Sequence, residues 1–218
     1  TDLEPLVDTT DEWIVSRTGI RERRIASEGD TTFTLGRDAA LEALAQARID
    51  AADVDVLIVA TLTPETPMPA TANLIQDAIG ARSAGAFDIN AACAGFVYGL
   101  ELARGLIDSQ AARTVLVVGS ETMSRIVDWT ARSTCVLFGD GAGAVVIERN
   151  AERPRLLGWD LMSDGSAAAL LYCEHGDKIV MHGQEVFRKA VLAMEKAAVT
   201  AIDRAGVSMD DGALVVPH

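Results

Sequence analysis

The sequence predicts an α/β fold in which a largely parallel sheet is covered by helices on both faces. Three observations lead there. Short runs such as "VDVLIVA" (54–60) and "RTVLVVGSE" (113–121) are apolar almost throughout, as strands buried on both faces must be. Segments of 3.6-residue periodicity alternate with those runs. The 218 residues are 49% hydrophobic and 23% charged, enough for a real core, with no low-complexity run.

The elements follow in order. "DEWIVSRTG" (11–19) places Trp13 and Arg17 four residues apart, on one side if the segment is helical. "FTLGRDAALEALAQA" (33–47) has helical spacing, with Phe33, Ala40, Leu41, Leu44 and Ala47 able to line one face. Residues 54–60 are a strand. "ATANLIQDAIG" is a helix closed by Gly80, and "AGAFDI" the next strand. "CAGFVYGLELARGLI" is a helix apolar on nearly every side, so a central, buried one is expected. Residues 113–121 and "AGAVVIE" are further strands. A boundary is expected near Asn150 to Pro154, after which "RLLGWDLMSDG" opens a second unit. "QEVFRKAVLAMEKAAVTAIDRAG" then reads as an amphipathic helix with Val186, Phe187, Ala190, Val191 and Met194 inward, followed by a strand in "GALVVP".

Charge and cysteine usage narrow the function. A formal net charge of -13 disfavours a nucleic-acid surface, although a local basic patch around a phosphorylated ligand is compatible with it. No stretch has the length and apolarity of a membrane helix. The acidic start "TDLEPLVDTTDEW" has no signal-peptide pattern, so a cytoplasmic protein is expected. Cys93, Cys135 and Cys173 are odd in number and widely spaced, which gives no disulfide framework. With His175, His182 and His218 they form no metal-ligand pattern, and no metal is expected. Both ends are abrupt, and the chain reads as part of a longer protein.

"FDINAACAGF" (87–96) is the most informative stretch. A strand ends at Asp88 to Asn90, and small residues then surround Cys93 before the apolar helix. A thiol at such a helix start would meet free N–H groups and the helix dipole, both favouring thiolate. Small neighbours leave room for a substrate, and Gly95 allows close backbone approach. That arrangement suits a nucleophile that takes an acyl group as a thioester. An inert buried thiol is the ordinary alternative for a lone cysteine. His218, after a strand-like run, lies where ligands often bind in α/β sheets. "FGDGAGAVVIE" is glycine-rich but neither GxGxxG nor a Walker loop. Gly139, Gly141 and Gly143 are expected to shape a turn into a strand, capped by Asp140. Trp13, Arg17 and Arg132 offer an aromatic face and two guanidiniums, fit for a base and phosphates, or else a half-buried Trp beside surface Arg.

Taken together, "DEWIVSRTGIRERRIA", "DINAACAGFVYGL", "LFGDGAGAVVIE", "HGQEVF" and "VVPH" resemble, in order, the beta-ketoacyl-acyl-carrier-protein synthase III family. The resemblance implies a thiolase-like duplicated five-layer α-β-α-β-α fold, here incomplete at both ends. Residues 1–150 would be the N-terminal half carrying the nucleophile, and 151–218 the first part of the C-terminal half. It implies a homodimer that condenses an acyl-CoA primer, acetyl-CoA first among them, with malonyl-ACP to give 3-oxoacyl-ACP, starting type II fatty-acid synthesis. No cofactor is required; acyl-CoA and malonyl-ACP are substrates, and acyl carrier protein is a partner.

By the same resemblance Cys93 is the nucleophile and His218 the catalytic histidine. Thr9, Trp13, Arg17, Arg132 and Phe138 bind substrate or CoA. Met68 reaches the acyl pocket across the dimer, and Arg188 lies at the carrier-protein surface. Met68 stands where phenylalanine is usual, which suggests primers longer than acetyl. "DWTAR" (128–132) departs from the family pattern beside Arg132. The 218 residues alone are expected to show little or no condensation. Other thiolase-fold condensing enzymes are alternatives, among them polyketide starter and long-chain acyl condensation enzymes and HMG-CoA synthase, and so is a non-catalytic acyl-CoA-binding homologue. No glutamate matching that of HMG-CoA synthase precedes Cys93.

Overall fold

A computed structural model describes residues 2–149, 156–211 and 214–218, so the expected boundary near Asn150 to Pro154 lies outside the described residues. The chain forms two compact units that interleave in sequence. One holds Arg24–Thr122 and Asp140–Pro154, the other Thr1–Arg23, Met123–Gly139 and Arg155–His218.

The first unit is a three-layer sandwich. Its strands are β1 (Val56–Ala60), β2 (Gly85–Ile89), β3 (Thr114–Thr122) and β4 (Asp140–Glu148), in the order β2-β1-β3-β4. β1 is parallel to both β2 and β3, while β4 is antiparallel to β3. Helix α3 (Thr71–Ala78) joins β1 to β2, and α4 (Gly95–Asp108) joins β2 to β3; parallel neighbours require such crossovers. Alternate residues of the inner strands feed opposite cores. Leu57, Val59, Leu116 and Val118 pack with Ala40, Leu44, Ala72 and Ile75 from α2 (Thr32–Ala47) and α3. Ile58, Val115 and Val117 pack with Ala103 and Ile107 of α4. This explains why the strands lack a polar face.

Thr31 begins α2 with a capping box: Thr34 N–H donates to Thr31 Oγ1 (3.1 Å) and Thr31 N–H to Thr34 Oγ1 (2.7 Å). The buried stripe is Thr32, Gly36, Ala40 and Leu44, a four-residue repeat of small and apolar side chains. Leu41, expected inward, is exposed because it falls off that stripe. Helix α4 is likewise buried only along Gly95, Gly99, Ala103 and Ile107, while Val97 and Leu102 face outward. Its all-round apolarity therefore does not translate into all-round burial among the described residues. Gly99 shows why the stripe is small: a Cβ there would meet Val117 Cγ1 at 2.8 Å.

Two glycines of "FGDGAGAVVIE" are placed differently from expectation, while Gly139 lies just before the strand. Gly141 and Gly143 lie inside β4, paired with Glu121 and Gly119, rather than in a turn. Asp140 starts that strand, and its carboxylate accepts the Ala26 N–H (2.7 Å) instead of capping a turn.

The second unit contains α1 (Asp11–Thr18), α5 (Arg132–Cys135), a short hairpin of β5 (Leu171–Tyr172) and β6 (Val180–Met181), and α6 (Gly183–Ala205). Its core gathers Leu3, Ile14, Val127, Cys135, Val136 and Ile179. Burial pushes the Cys135 thiol up, which keeps it protonated and inert. The amphipathic face of α6 is not turned into this core. Phe187 is 69% exposed and Val191 and Met194 are also exposed, whereas Val186 and Ala190 are half-buried. Leu214, Val215 and Val216 form no strand and are exposed; among the described residues no neighbouring strand pairs with them, and 212–213 lie outside the described residues.

Candidate active site

Cys93 sits at the C-terminal end of β2, in a single 3-10 turn, Ala92–Ala94, that runs directly into α4. The thiol is exposed. The chain reaches this position through Ala92, whose φ of 45° is left-handed. For a residue with a Cβ that conformation costs about 1 kcal/mol, and the cost is borne immediately before the candidate nucleophile. The turn uses some of its own donors: Ala94 N–H bonds to Ala91 O (3.1 Å), and Gly95 N–H to Ala92 O. Those two amides are thus taken up by backbone carbonyls, and the turn leads into the N-terminal end of the 14-residue α4. Gly95 brings the helix start against β1, since a Cβ there would lie 3.1 Å from the Ala60 Cβ.

The expected nucleotide-binding residues converge in the second unit. Thr10 caps α1 by accepting the Trp13 N–H (3.1 Å), and Gly19 closes the helix at φ 72°. The Arg17 guanidinium lies 4.4 Å from the centre of the Trp13 ring, and that of Arg132 4.5 Å from it. Each contact is worth about 0.5–1 kcal/mol when exposed. Arg132 is fixed further by donating to Asp8 O (2.7 Å). The hydroxyl oxygen of Thr9, next to the cap, is buried and has no hydrogen-bond partner among the described residues. Phe138 is half-buried against the same core as Trp13.

The remaining candidates are scattered. Met68 stands on the loop after β1 and is 83% exposed. Arg188 is exposed on α6, and His218 is exposed at the end of the described chain. Among the described residues no group of His, Cys, Asp and Glu could hold a metal, and no helix is long and apolar enough to cross a membrane. Sequence reasoning passed over two carboxylates, Asp88 and Glu121, which tie loops beside the sheet's C-terminal edge. The signal was available in Glu121, a charged residue in the polar end, Ser120–Thr122, of a strand whose inner run Val115–Val118 is apolar.

Comparison with known proteins decides the family. The model of the 3-oxoacyl-[acyl-carrier-protein] synthase III family matches residues 87–180. A beta-ketoacyl-[acyl-carrier-protein] synthase III from Oceanobacillus iheyensis is 50% identical over 217 residues, covering all of this chain and 70% of the relative. The chain belongs to the beta-ketoacyl-[acyl-carrier-protein] synthase III family. The topology agrees: the crystal structure of a synthase III from Aquifex aeolicus superposes with a TM-score of 0.92 at 47% identity, over 95% of this chain and 67% of that one. The priming beta-ketosynthase of the R1128 polyketide pathway gives a TM-score of 0.89 at 36% identity, covering 96% and 66%. Membership carries the thiolase-type condensing-enzyme fold, into which the sandwich of α2 and α3, sheet, and α4 fits.

Proposed function

We propose that this synthase III family member is an acyltransferase that condenses an acyl-CoA primer with malonyl-ACP through an acyl-cysteine intermediate, at the start of fatty-acid synthesis. The observation that carries the reading is the exposed Cys93 thiol in the turn that opens α4.

Cys93 thiolate attacks the primer's thioester carbonyl. The oxyanion that forms is stabilised by backbone N–H groups, including that of Cys93, and collapses with loss of CoA thiolate, leaving the acyl group on sulfur. Malonyl-ACP then loses carbon dioxide, and the electron pair of the broken C–C bond becomes an enolate. His218 donates a hydrogen bond to the enolate oxygen; a neutral donor fits, because a carboxylate would repel the developing charge. The enolate carbon attacks acyl-Cys93, the C–S bond breaks, and 3-oxoacyl-ACP leaves with the thiolate restored. No redox step occurs.

Trp13, Arg17 and Arg132 would take the nucleotide end of CoA, the ring by stacking and the guanidiniums by charge. The unpaired Thr9 hydroxyl would meet the ligand at the pocket mouth, and Phe138 would line the decarboxylation site. Met68 would reach the acyl pocket of a second subunit in a homodimer. Arg188 would face the acidic carrier protein, a local attraction on a chain of net charge -13. Residues 1–150 would form the nucleophile-bearing half of a duplicated fold and 151–218 the beginning of the other. A thiol nucleophile suits a reducing compartment, so the cytoplasm is proposed. Polyketide priming is the second reading, favoured by the R1128 likeness.

Incubation of the intact enzyme with radiolabelled acetyl-CoA should label Cys93, and addition of malonyl-ACP should discharge the label as 3-oxoacyl-ACP. Cys93→Ala should abolish both steps, and His218→Ala should spare labelling while removing condensation. Label on another residue, or condensation surviving in Cys93→Ala, would sink the reading. A primer panel separates the pathways, since a polyketide starter enzyme should favour a non-acetyl primer.

A further inference from the structure

Met68 is the most exposed large hydrophobic side chain among the described residues of the first unit, yet the loop that carries it, residues 61–70, is tied down at both ends. The mechanism uses neither of the carboxylates responsible. At the near end Glu121, on β3, accepts the Leu62 N–H (2.9 Å), the Thr61 hydroxyl (3.3 Å) and the Thr63 hydroxyl. At the far end Asp88, on β2, accepts the N–H groups of Thr71 (2.8 Å) and Ala72 (2.7 Å). Those amides open α3, whose N-cap is Ala70 and offers no side-chain acceptor. Asp88 thus supplies the cap from a neighbouring strand.

The hydroxyls between these carboxylates have one consistent set of directions. Thr63 gives its proton to Glu121, so its oxygen is left to accept the Thr122 N–H (2.9 Å). Thr32 donates to Thr63 O (2.7 Å), so in the 2.9 Å contact with Thr122 it must accept. Glu65 adds a tether by accepting the Phe33 N–H at the start of α2 (3.1 Å). Residues 66–69 close on themselves through the Thr66 hydroxyl and Pro69 O (3.2 Å) and hold Met68 outward.

We infer that Glu121 and Asp88 are positioning residues for primer selection: they clamp the 61–70 loop so that Met68 is delivered to one fixed place in the acyl pocket. This rests on the reading of Met68 as an acyl-pocket residue. Glu121 answers three donors with acceptor oxygens only. A glutamine there would set its NH2 against one of those donors and release a tether. Burial pushes the Glu121 carboxyl above the usual range while the Thr63, Leu62 and Thr61 donors oppose the rise.

The test uses the intact enzyme with Glu121→Gln and Thr63→Val, Thr63→Ser as the conservative rescue and Met68→Ala as the reference. Amide hydrogen exchange over residues 62–70 reads the clamp directly. The ratio of condensation rates with octanoyl-CoA and acetyl-CoA reads selection. Glu121→Gln and Thr63→Val should both speed exchange and shift the ratio toward the longer primer by about tenfold, and Thr63→Ser should stay near the parent. Unchanged exchange, or an unchanged ratio where Met68→Ala shifts it, overturns the inference. A ratio that Met68→Ala leaves untouched as well overturns the acyl-pocket reading and the selection role with it, while exchange still decides whether the clamp exists.

Discussion

Adding one methyl group at Gly99 should lift α4 off the sheet and disturb Cys93. The new Cβ would stand 2.8 Å from Val117 Cγ1 and 3.6 Å from Ile89 Cδ1. Val117 is fully buried on the central strand β3 and cannot retreat. Restoring an ordinary contact moves the helix by about 0.6 Å. Overpacking of this kind costs about 1–3 kcal/mol, against a gain of about 1 kcal/mol from replacing glycine inside a helix. The net expectation for Gly99→Ala is a loss of about 1 kcal/mol. At Gly105, on the same helix, an added methyl would meet nothing within 4 Å, so Gly105→Ala should gain about 0.5–1 kcal/mol from propensity alone. With an m-value of about 2 kcal/mol/M, the two variants should differ by roughly 1 M in urea midpoint. Because the turn holding Cys93 runs straight into α4, Gly99→Ala should also slow acylation of Cys93 by about tenfold, and Gly105→Ala should not. Equal stabilisation of Gly99→Ala and Gly105→Ala, with acylation unchanged, would refute the seating of the nucleophile helix by its small-residue stripe.

Two further outcomes concern Asp55 and Trp13. Asp55 accepts the N–H groups of Arg113 (2.7 Å) and Thr114 (3.0 Å), which hold its carboxyl below the usual 3.8. The unfolded chain then binds the proton more readily, so this contribution is present above about pH 3.8 and is lost as pH falls through the lowered value. Asp55→Asn should cost about 1 kcal/mol at neutral pH, allowing for exposure, and urea titrations should show the deficit closing in acid. Trp13→Ala should raise KM for acyl-CoA by about tenfold, the loss of one base-stacking surface, while a pantetheine thioester lacking the nucleotide should be used equally well by parent and variant.

The inner strands were legible because burial on both faces leaves a periodicity-free apolar run, and the structure places β1 and β3 where those runs fall. Helix α2 was legible in extent but not in facing: the spacing of Leu41 is helical, yet Gly36 and Ala40 sit closer to the sheet because only small residues allow the approach. The same effect hid the single buried stripe of α4. Gly141 and Gly143 misled in the other direction, since glycine in an edge strand needs no turn when its neighbour β3 supplies the ladder. For α6 the apolar pattern was read correctly as a pattern, but inwardness depends on a covering element, and Phe187 remains exposed.

At the site, the strand-to-helix placement of Cys93 was readable from small residues between two apolar segments, whereas the left-handed Ala92 was not, because alanine gives no warning of positive φ. Asp88 and Glu121 were harder still. Each acts on donors that lie 16 or more residues away in sequence, and local pattern carries no record of such partners. What local pattern did hold was a charge in the continuation of an apolar strand run: a part-buried carboxylate there must be satisfied by something. Asking which donors could reach it, with the sheet order β2-β1-β3 in hand, leads to the loop after β1 and so to Met68. If hydrogen exchange found residues 62–70 no looser in Glu121→Gln than in the parent, the link from buried charge to Met68 would break at once, because that charge would then be shown to hold nothing in place.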